Sequence, residues 1–310
     1  MSAKKILVIG ELNVDILLNH ILGFPEVGKE ILASNMSTVL GSSSAIFASN
    51  LASLGAKVSF CGTIGQDAYA DIVLASLRKS QVATQFIHTV SEENTGATII
   101  LNYNQDRANI TYCGAMDSLT SDLIPWQKIS EFDHIHISNF FIQKGIRDDI
   151  IEIFKRIKGY GVTTSLDMQW DVEEKWDFDY KRGLQFIDIF LPNEAEILKL
   201  TKSKTLQQAI GKIQPYDGYL VIKQGIKGSR GIHKNEEVVC PAYHLKPFVD
   251  AIGAGDSFNA GFILKFLEEA SLEECLDMGN KIGAISTTAT GGTKAFENKK
   301  SIEKRLSQLH

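Results

Sequence analysis

The chain has 310 residues, 44% of them apolar, which is ample for a buried core and excludes a disordered chain. Its formal net charge is −5 and Lys and Arg never run beyond a pair, so neither nucleic acid nor an anionic membrane is expected as main partner. Cys61, Cys113, Cys240 and Cys275 are scattered without a CxxC pair and read as buried thiols of a cytoplasmic protein, not as a disulfide frame or zinc site.

Lys5 to Glu11 (KILVIGE) is a short apolar run closed by glycine, which predicts a buried first strand. It begins so early that no room is left for a signal peptide, and no apolar run in the chain is long enough to span a bilayer. Asn13 and Asp15 follow at the spacing NxD, just past the strand's carboxyl end, where open α/β sheets bind ligands. Both residues are also turn formers. Residues 17–40 are weakly patterned around a turn at 25–29.

Gly41 to Gly55 (GSSSAIFASNLASLG) reads as a hydroxyl-bearing loop with Gly41, Ser42 and Ser43, then an amphipathic helix ended by Gly55. Serines before a helix also serve simply as caps. Lys57 to Gly65 predicts a strand, and Asp67 starts a helix through about Lys79. Thr95 to Thr111 holds two alternating runs about a polar turn at Asn104 to Arg107, the pattern of a hairpin.

Asp133 to Ser138 (DHIHIS) alternates and ends at Asn139. His134 and His136 share one face of that strand and read as packed or surface histidines, since no third metal ligand is near. A helix is expected from Ile146 to Lys158, then a strand from Val162 to Leu166 ending in Asp167-Met168-Gln169-Trp170. Trp170, Trp176 and Phe178, next to acids, read either as sugar-binding aromatics or, more commonly in such loops, as flank packing. Phe186 to Leu191 runs into Pro192, then a helix with Asn193 and Glu196 at its start, a pattern that caps helices.

Gly218 to Ile222 predicts a buried strand, followed by Lys223 and a turn carrying Gly225 and Gly228. Gly231 to Val239 reads as a small hairpin. In Val249 to Phe262 (VDAIGAGDSFNAGF), Gly253, Ala254 and Gly255 open a helix whose first turn carries Asp256. The unpaired N–H groups of such a turn suit phosphate. A carboxylate beside an anion site makes sense as the base that deprotonates an attacking hydroxyl, although an acid there also reads as a cap. No GxxxxGK[ST] occurs, and Phe258 stands where a dinucleotide fingerprint needs its third glycine. A last long helix is expected over Ser271 to Thr290.

Asp250, Gly253, Ala254, Gly255, Asp256, Phe258, Ala260 and Gly261 together resemble the C-terminal signature of the PfkB or ribokinase family of carbohydrate kinases. Asn193 and Glu196 are similar to its NxxE motif, and Asn13 and Asp15 to its first sugar-binding pair. The N-terminal signature departs from the family, with Ser42 where a second glycine and Ile46 where an asparagine is usual. The resemblance implies that Asp256 is the general base and that the amides of Gly253 to Asp256 hold the phosphoryl group. It implies Asn13, Asp15, Gly41, Ser42, Ser43 and Asn139 around the sugar, with Arg107 over it as a match for an acid-bearing sugar or as a solvated loop charge. It further implies that Asn193 and Glu196 act through water on Mg2+. Lys223, Gly225, Gly228 and Asn280 would meet the ATP, and Asp250 with Ile252 would form a site for K+.

Alternating strands and helices predict an α/β fold, a doubly wound and mostly parallel sheet with helices on both faces. The resemblance adds a small β lid from segments 14–40 and 95–112 within one domain spanning 1–310, and the lid's exposed face suits a homodimer. The expected function is ATP-dependent phosphorylation of a primary hydroxyl on a small sugar (ketose, pentose or keto-deoxy sugar acid). A nucleoside kinase and a non-catalytic sugar-sensing descendant are the alternatives.

Overall fold

The computed structural model describes residues 3–21, 23–103 and 106–309. β1 (Lys5–Ile9) leads to β2 (Asn13–Ile21), β3 (Ala33–Leu40), α1 (Ser43–Ser53), β4 (Lys57–Ile64), α2 (Ala68–Lys79) and β5 (Ala83–Thr89). β6 (Gly96–Tyr103) and β7 (Asp106–Tyr112) form the expected hairpin; Asn104 and Gln105 of its turn lie outside the described residues. Short 3-10 turns then lead to β8 (His134–Ser138), α3 (Lys144–Arg147), α4 (Ile150–Lys158), β9 (Thr163–Asp167), α5 (Tyr180–Gly183) and β10 (Ile189–Phe190). The chain continues through α6 (Glu194–Leu200), α7 (Leu206–Ile213), β11 (Tyr219–Lys223), β12 (Ser229–His233) and β13 (Glu236–Cys240). It closes with α8 (Ala254–Leu267), α9 (Leu272–Ser286) and α10 (Lys299–Leu306).

Among the described residues the main sheet has nine strands in the order β13-β12-β11-β10-β9-β8-β1-β4-β5, parallel except for the antiparallel β11-β12-β13 end. Alternation along β1 sends Leu7 and Ile9 into one apolar layer and Ile6 and Val8 into the other. The first layer packs Ile153 and Phe154 of α4 and Ile197 of α6; the second packs Phe47 of α1, Val73 of α2 and Phe262 of α8. Each such side chain contributes about 1.5–3 kcal/mol by leaving water. A doubly wound sheet follows, because a strand apolar on both faces must be covered on both.

β3-β2-β6-β7 form a separate four-stranded sheet. Leu17, Ile100 and Val39 of its inner face pack on Ile252, just before α8, so the lid rests directly on the approach to that helix. Its outer face carries exposed Met36, Ile99, Ile110 and Tyr112.

Two expectations need correction. The helix expected over 146–158 is broken into α3 and α4. The helix expected to reach Thr290 ends at Ser286, and α10 follows it, packing Ile302 against Ile282 and Ile285. α7 and β5 also form where sequence reading drew no element.

Candidate active site

The N-terminal turn of α8 divides two cavities. Gly253 caps the helix at φ 71, and a Cβ there would lie 2.6 Å from Gly292 Cα, so both backbone and space demand glycine. Ala254 turns its N–H to Ala251 O at 3.3 Å, whereas Gly255 and Asp256 have no backbone acceptor for theirs among the described residues. The free donors of the turn are therefore fewer than the whole Gly253 to Asp256 stretch.

On one side lies a polar cavity of about 230 Å³ reached by Asn13, Asp15, Ser42, Ser43, Asn139 and Asp256. Arg107, Asn109 and Thr111 of β7 close it from the lid. On the other side, a mostly apolar cavity of about 440 Å³ is bounded by Lys223, Gly225, Gly228, Gly255 and Asn280. Neighbouring residues of one turn, Gly255 and Asp256, thus open on different cavities.

Asp256 is 7% exposed. Burial, with the nearby Asp167 carboxylate next in weight, pushes its carboxyl up to about 8, against the pull of Lys223. Its Oδ1 accepts from Gln169 Nε2 at 3.1 Å. Behind it, Asp167 at the end of β9 is ion-paired with Lys223 and accepts from Asn259 Nδ2 at 2.6 Å. Lys223 Nζ is 3.7 Å from where a Gly255 Cβ would stand. Lys223, expected at the ATP, is held by a buried carboxylate, under the helix turn and at the edge of the apolar cavity. Burial alone would lower its ammonium, but Asp167 and Glu196 outweigh that and hold it raised.

In the polar cavity, Asn13 Nδ2 donates to Thr98 Oγ1 at 2.8 Å and to Asp15 Oδ1 at 3.3 Å. Burial pushes Asp15 up to about 7, opposed by the Asn13 amide and the Arg107 charge. Gly41 leaves room for this pair, since a Cβ there would lie 2.3 Å from Asp15 Oδ1. Ser42 occupies φ 68, a conformation that favours glycine, and its hydroxyl is already engaged with Glu11 O and Ala45 N. It is a helix cap as well as a cavity wall, and Ser43 lines the cavity beside it.

Glu11 is 2% exposed and its carboxylate ties α1 to the end of β8. It accepts from Ser44 Oγ at 2.6 Å and, at 3.4 Å each, from Asn139 Nδ2 and Gln143 Nε2. Asn139 is therefore anchored by its amide group in the cavity wall. Burial raises the Glu11 carboxyl, with the Ser44 hydroxyl working against it.

Asn193 and Glu196 form a reciprocal capping box on α6: Glu196 N donates to Asn193 Oδ1 at 2.9 Å, and Asn193 N to Glu196 Oε2 at 2.8 Å. Burial and the Asp167 charge raise the Glu196 carboxyl, and Asn193 bridges to Lys223 of β11. Because both Glu196 oxygens are engaged by Asn193, a bound Mg2+ fits this pair through water, the coordination that ion prefers. Among the described residues no group of three His, Cys, Asp or Glu could grip a metal directly. Asn280 Nδ2 donates to Cys240 O and Pro241 O at 3.2 Å each, fixing β13's exit to α9 at the cavity wall. Gly228 is needed because a Cβ would lie 2.0 Å from Cys240 O. Asp250 accepts from Ile252 N at 2.9 Å and Gly291 N at 3.0 Å, which closes the loop suggested for a monovalent cation.

His134 and His136 are packed, as expected: Ser165 Oγ lies 2.8 Å from His134 Nε2 and 2.7 Å from His136 Nδ1, and Phe47 stacks on His136. Trp176 is buried against Phe141, and Trp170 stands edge-on to it, away from both cavities. Sequence reading missed Glu11, Asp167, Gln169 and Asn259 as site residues. Each sits at a strand's carboxyl end or one turn into α8, and that position is the signal that could have found them.

Residues 3–299 match the family described as "pfkB family carbohydrate kinase". The chain is 26% identical over 306 residues to a ribokinase of Bacillus subtilis, covering 98% of this chain and 100% of that one. The structure of Arabidopsis thaliana ribokinase complexed with ribose and ATP superposes with a TM-score of 0.84 at 25% identity, covering 98% of this chain and 99% of that one. Adenosine kinase from Sinorhizobium meliloti shares the fold at a TM-score of 0.84 and 19% identity, covering 99% of this chain and 100% of that one.

Proposed function

The chain belongs to the pfkB family of carbohydrate kinases, and from that premise we propose that it moves the γ-phosphoryl of ATP to a primary hydroxyl of a small sugar. One observation carries the reading: a helix N-terminus with free amides at Gly255 and Asp256 separates an apolar cavity from a polar one, with a buried carboxylate on the polar side. Adenine suits the apolar cavity and a polyol suits the polar one. The sugar's hydroxyl would lie against Asp256, which takes its proton as the oxygen attacks phosphorus. The free amides stabilise charge on the phosphoryl oxygens, a contribution that is commonly the largest in such transfers. Mg2+, held through water by Asn193 and Glu196, would neutralise phosphate charge, and K+ would sit by Asp250 and Ile252.

Among the described residues no aromatic side chain lines the polar cavity, and its volume of about 230 Å³ suits a monosaccharide better than a nucleoside, whose base needs a flat apolar wall. A pentose, a ketose or a keto-deoxy sugar acid fits; Arg107 is the group that would favour the last. The enzyme works as one unit over 1–310 in the cytoplasm, and as a homodimer through the apolar outer face of the lid. Coupled ADP detection over a panel of pentoses, ketoses, keto-deoxy sugar acids and nucleosides, with and without K+, tests this. Sugar-dependent ADP formation is expected. Tight sugar binding without any ADP would identify a sensor that has lost catalysis.

A further inference from the structure

The side-chain amide of Gln169 lies between two carboxylates. Its Nε2 donates to Asp167 Oδ2 and to Asp256 Oδ1, at 3.1 Å each. Its own N–H donates to Asp167 Oδ1 at 3.3 Å. Its backbone is left-handed at φ 59, a conformation that a non-glycine residue keeps only where its surroundings over-determine it. Those surroundings are rigid: Asp167 is fully buried, ion-paired with Lys223 and bonded to Asn259. Gln169 also lines the polar cavity.

We propose that Gln169 is a positioning residue whose amide fixes the Asp256 carboxylate against the Asp167–Lys223 pair, occupies Oδ1, and leaves Oδ2 to take the acceptor's proton. The proposal rests on the reading of Asp256 as general base. Donation to a carboxylate favours its ionised form. The charged groups acting most on Asp256 are Asp167 from β9, Lys223 from β11, Glu11 from the turn after β1 and Glu196 from α6, and Asp15 of β2 and Arg107 of β7 line the same cavity. Four of the six are acids. Without the amide, less opposes burial and these like charges, so the base holds its proton more tightly and points less consistently.

Two substitutions test this. Gln169→Gly suits the left-handed backbone and removes the amide, while Gln169→Glu keeps the length and replaces a donor by an acceptor. The readouts are the carbon-13 carboxyl titration of Asp256, assigned with Asp256→Asn, and kcat/KM against pH. In Gln169→Gly the titration midpoint and the acid limb should both rise by about one pH unit, and further in Gln169→Glu. Near neutral pH, kcat should fall roughly ten- to a hundredfold with KM for ATP unchanged, and recover above the shifted limb. An unmoved midpoint, or a loss equal at every pH, overturns the proposal. If the unsubstituted protein forms no acceptor-dependent ADP, the general-base reading fails, while the carboxyl titration still decides whether Gln169 governs Asp256. Should Gln169→Gly unfold, Gln169→Glu carries the same measurement.

Discussion

A Cβ added at Gly41 would stand 2.3 Å from Asp15 Oδ1 and 2.9 Å from Asn13 Oδ1. The backbone at Gly41 is therefore what leaves room for the Asn13 and Asp15 side chains in the cavity wall. Gly41→Ala should push them aside by a sizeable fraction of an ångström. A displacement of that size at a positioning group lowers efficiency by roughly ten- to a hundredfold. Steady-state kinetics should show the loss in the acceptor's kcat/KM with KM for ATP unmoved. Equal damage to both substrates would mean that Gly41 supports the fold and not the sugar.

Asp256→Asn should fold and lose turnover by roughly two to four powers of ten, the usual share of a general base. Since the carboxyl of the unliganded protein is pushed up to about 8, kcat/KM should rise with pH through that region as the base ionises. The stability consequence has the opposite sign. The folded-state value lies above the ordinary 3.8, so the folded state holds a proton that the unfolded chain has lost. Stability from this group is complete below about pH 4 and is lost as pH rises through about 8. The asparagine variant should therefore outlast its parent by a margin that widens up to that pH, on the order of a few kcal/mol. Thermal melts of both proteins across pH read this directly, and a constant difference would place the carboxylate in a wetter setting.

Lys223→Met leaves the Asp167 carboxylate buried without its cation. Breaking one half of a buried pair typically destabilises by about 3–5 kcal/mol. The double substitution Lys223→Met with Asp167→Leu should regain much of that stability but not turnover, because Gln169 loses its anchor. Urea unfolding midpoints and ADP formation separate the two effects. A single variant as stable as the parent would show that the pair is not closed to water.

His134 is buried and its imidazolium is disfavoured by that burial, which lowers it to about 3 from an ordinary 6.5. His136 is pushed well below its ordinary range by burial and by the charges of His134 and Lys223. Below about pH 6.5 the unfolded chain takes up protons that the folded chain refuses, so these residues cost stability as pH falls. Each contributes about 1.4 kcal/mol per pH unit while the gap lasts. His134→Gln should thus gain on the parent progressively between about pH 6.5 and pH 4, with no trend above 6.5, in chemical denaturation at each pH. A difference that does not change with pH would mean that the ring takes up its proton as readily in the fold as in the unfolded chain.

Ile110 is 62% exposed on the outer lid face beside Ile99 and Tyr112. If that face joins two copies, Ile110→Lys should give monomers in light scattering while the parent runs as a dimer. A parent that is already monomeric removes the lid from any account of assembly.

Short-range signals sufficed for much of this protein. The apolar run of β1, the alternation along β8, the Asp67 cap of α2 and the turn into α8 depend on residues within a few positions of one another, and each was legible as sequence. So were Asp256, the Asn13 and Asp15 pair, and the Asn193–Glu196 capping box, because each is a compact motif at one strand end. The break between α3 and α4 was not, since the apolar spacing persists through 148–149 and only packing decides which turn yields.

What tertiary structure alone decided is the wiring between motifs. Gln169 and Asp256 are 87 residues apart, and Lys223 and Asp167 are 56 apart. They meet because β9 and β11 flank β10 and end at the same edge as α8 begins, an order fixed by how apolar faces cover the sheet. A pattern of side chains records which face is buried; it carries no record of which neighbour buries it. For that reason Asp256 could be singled out from the chain, and the amide and ion pair that hold it could not.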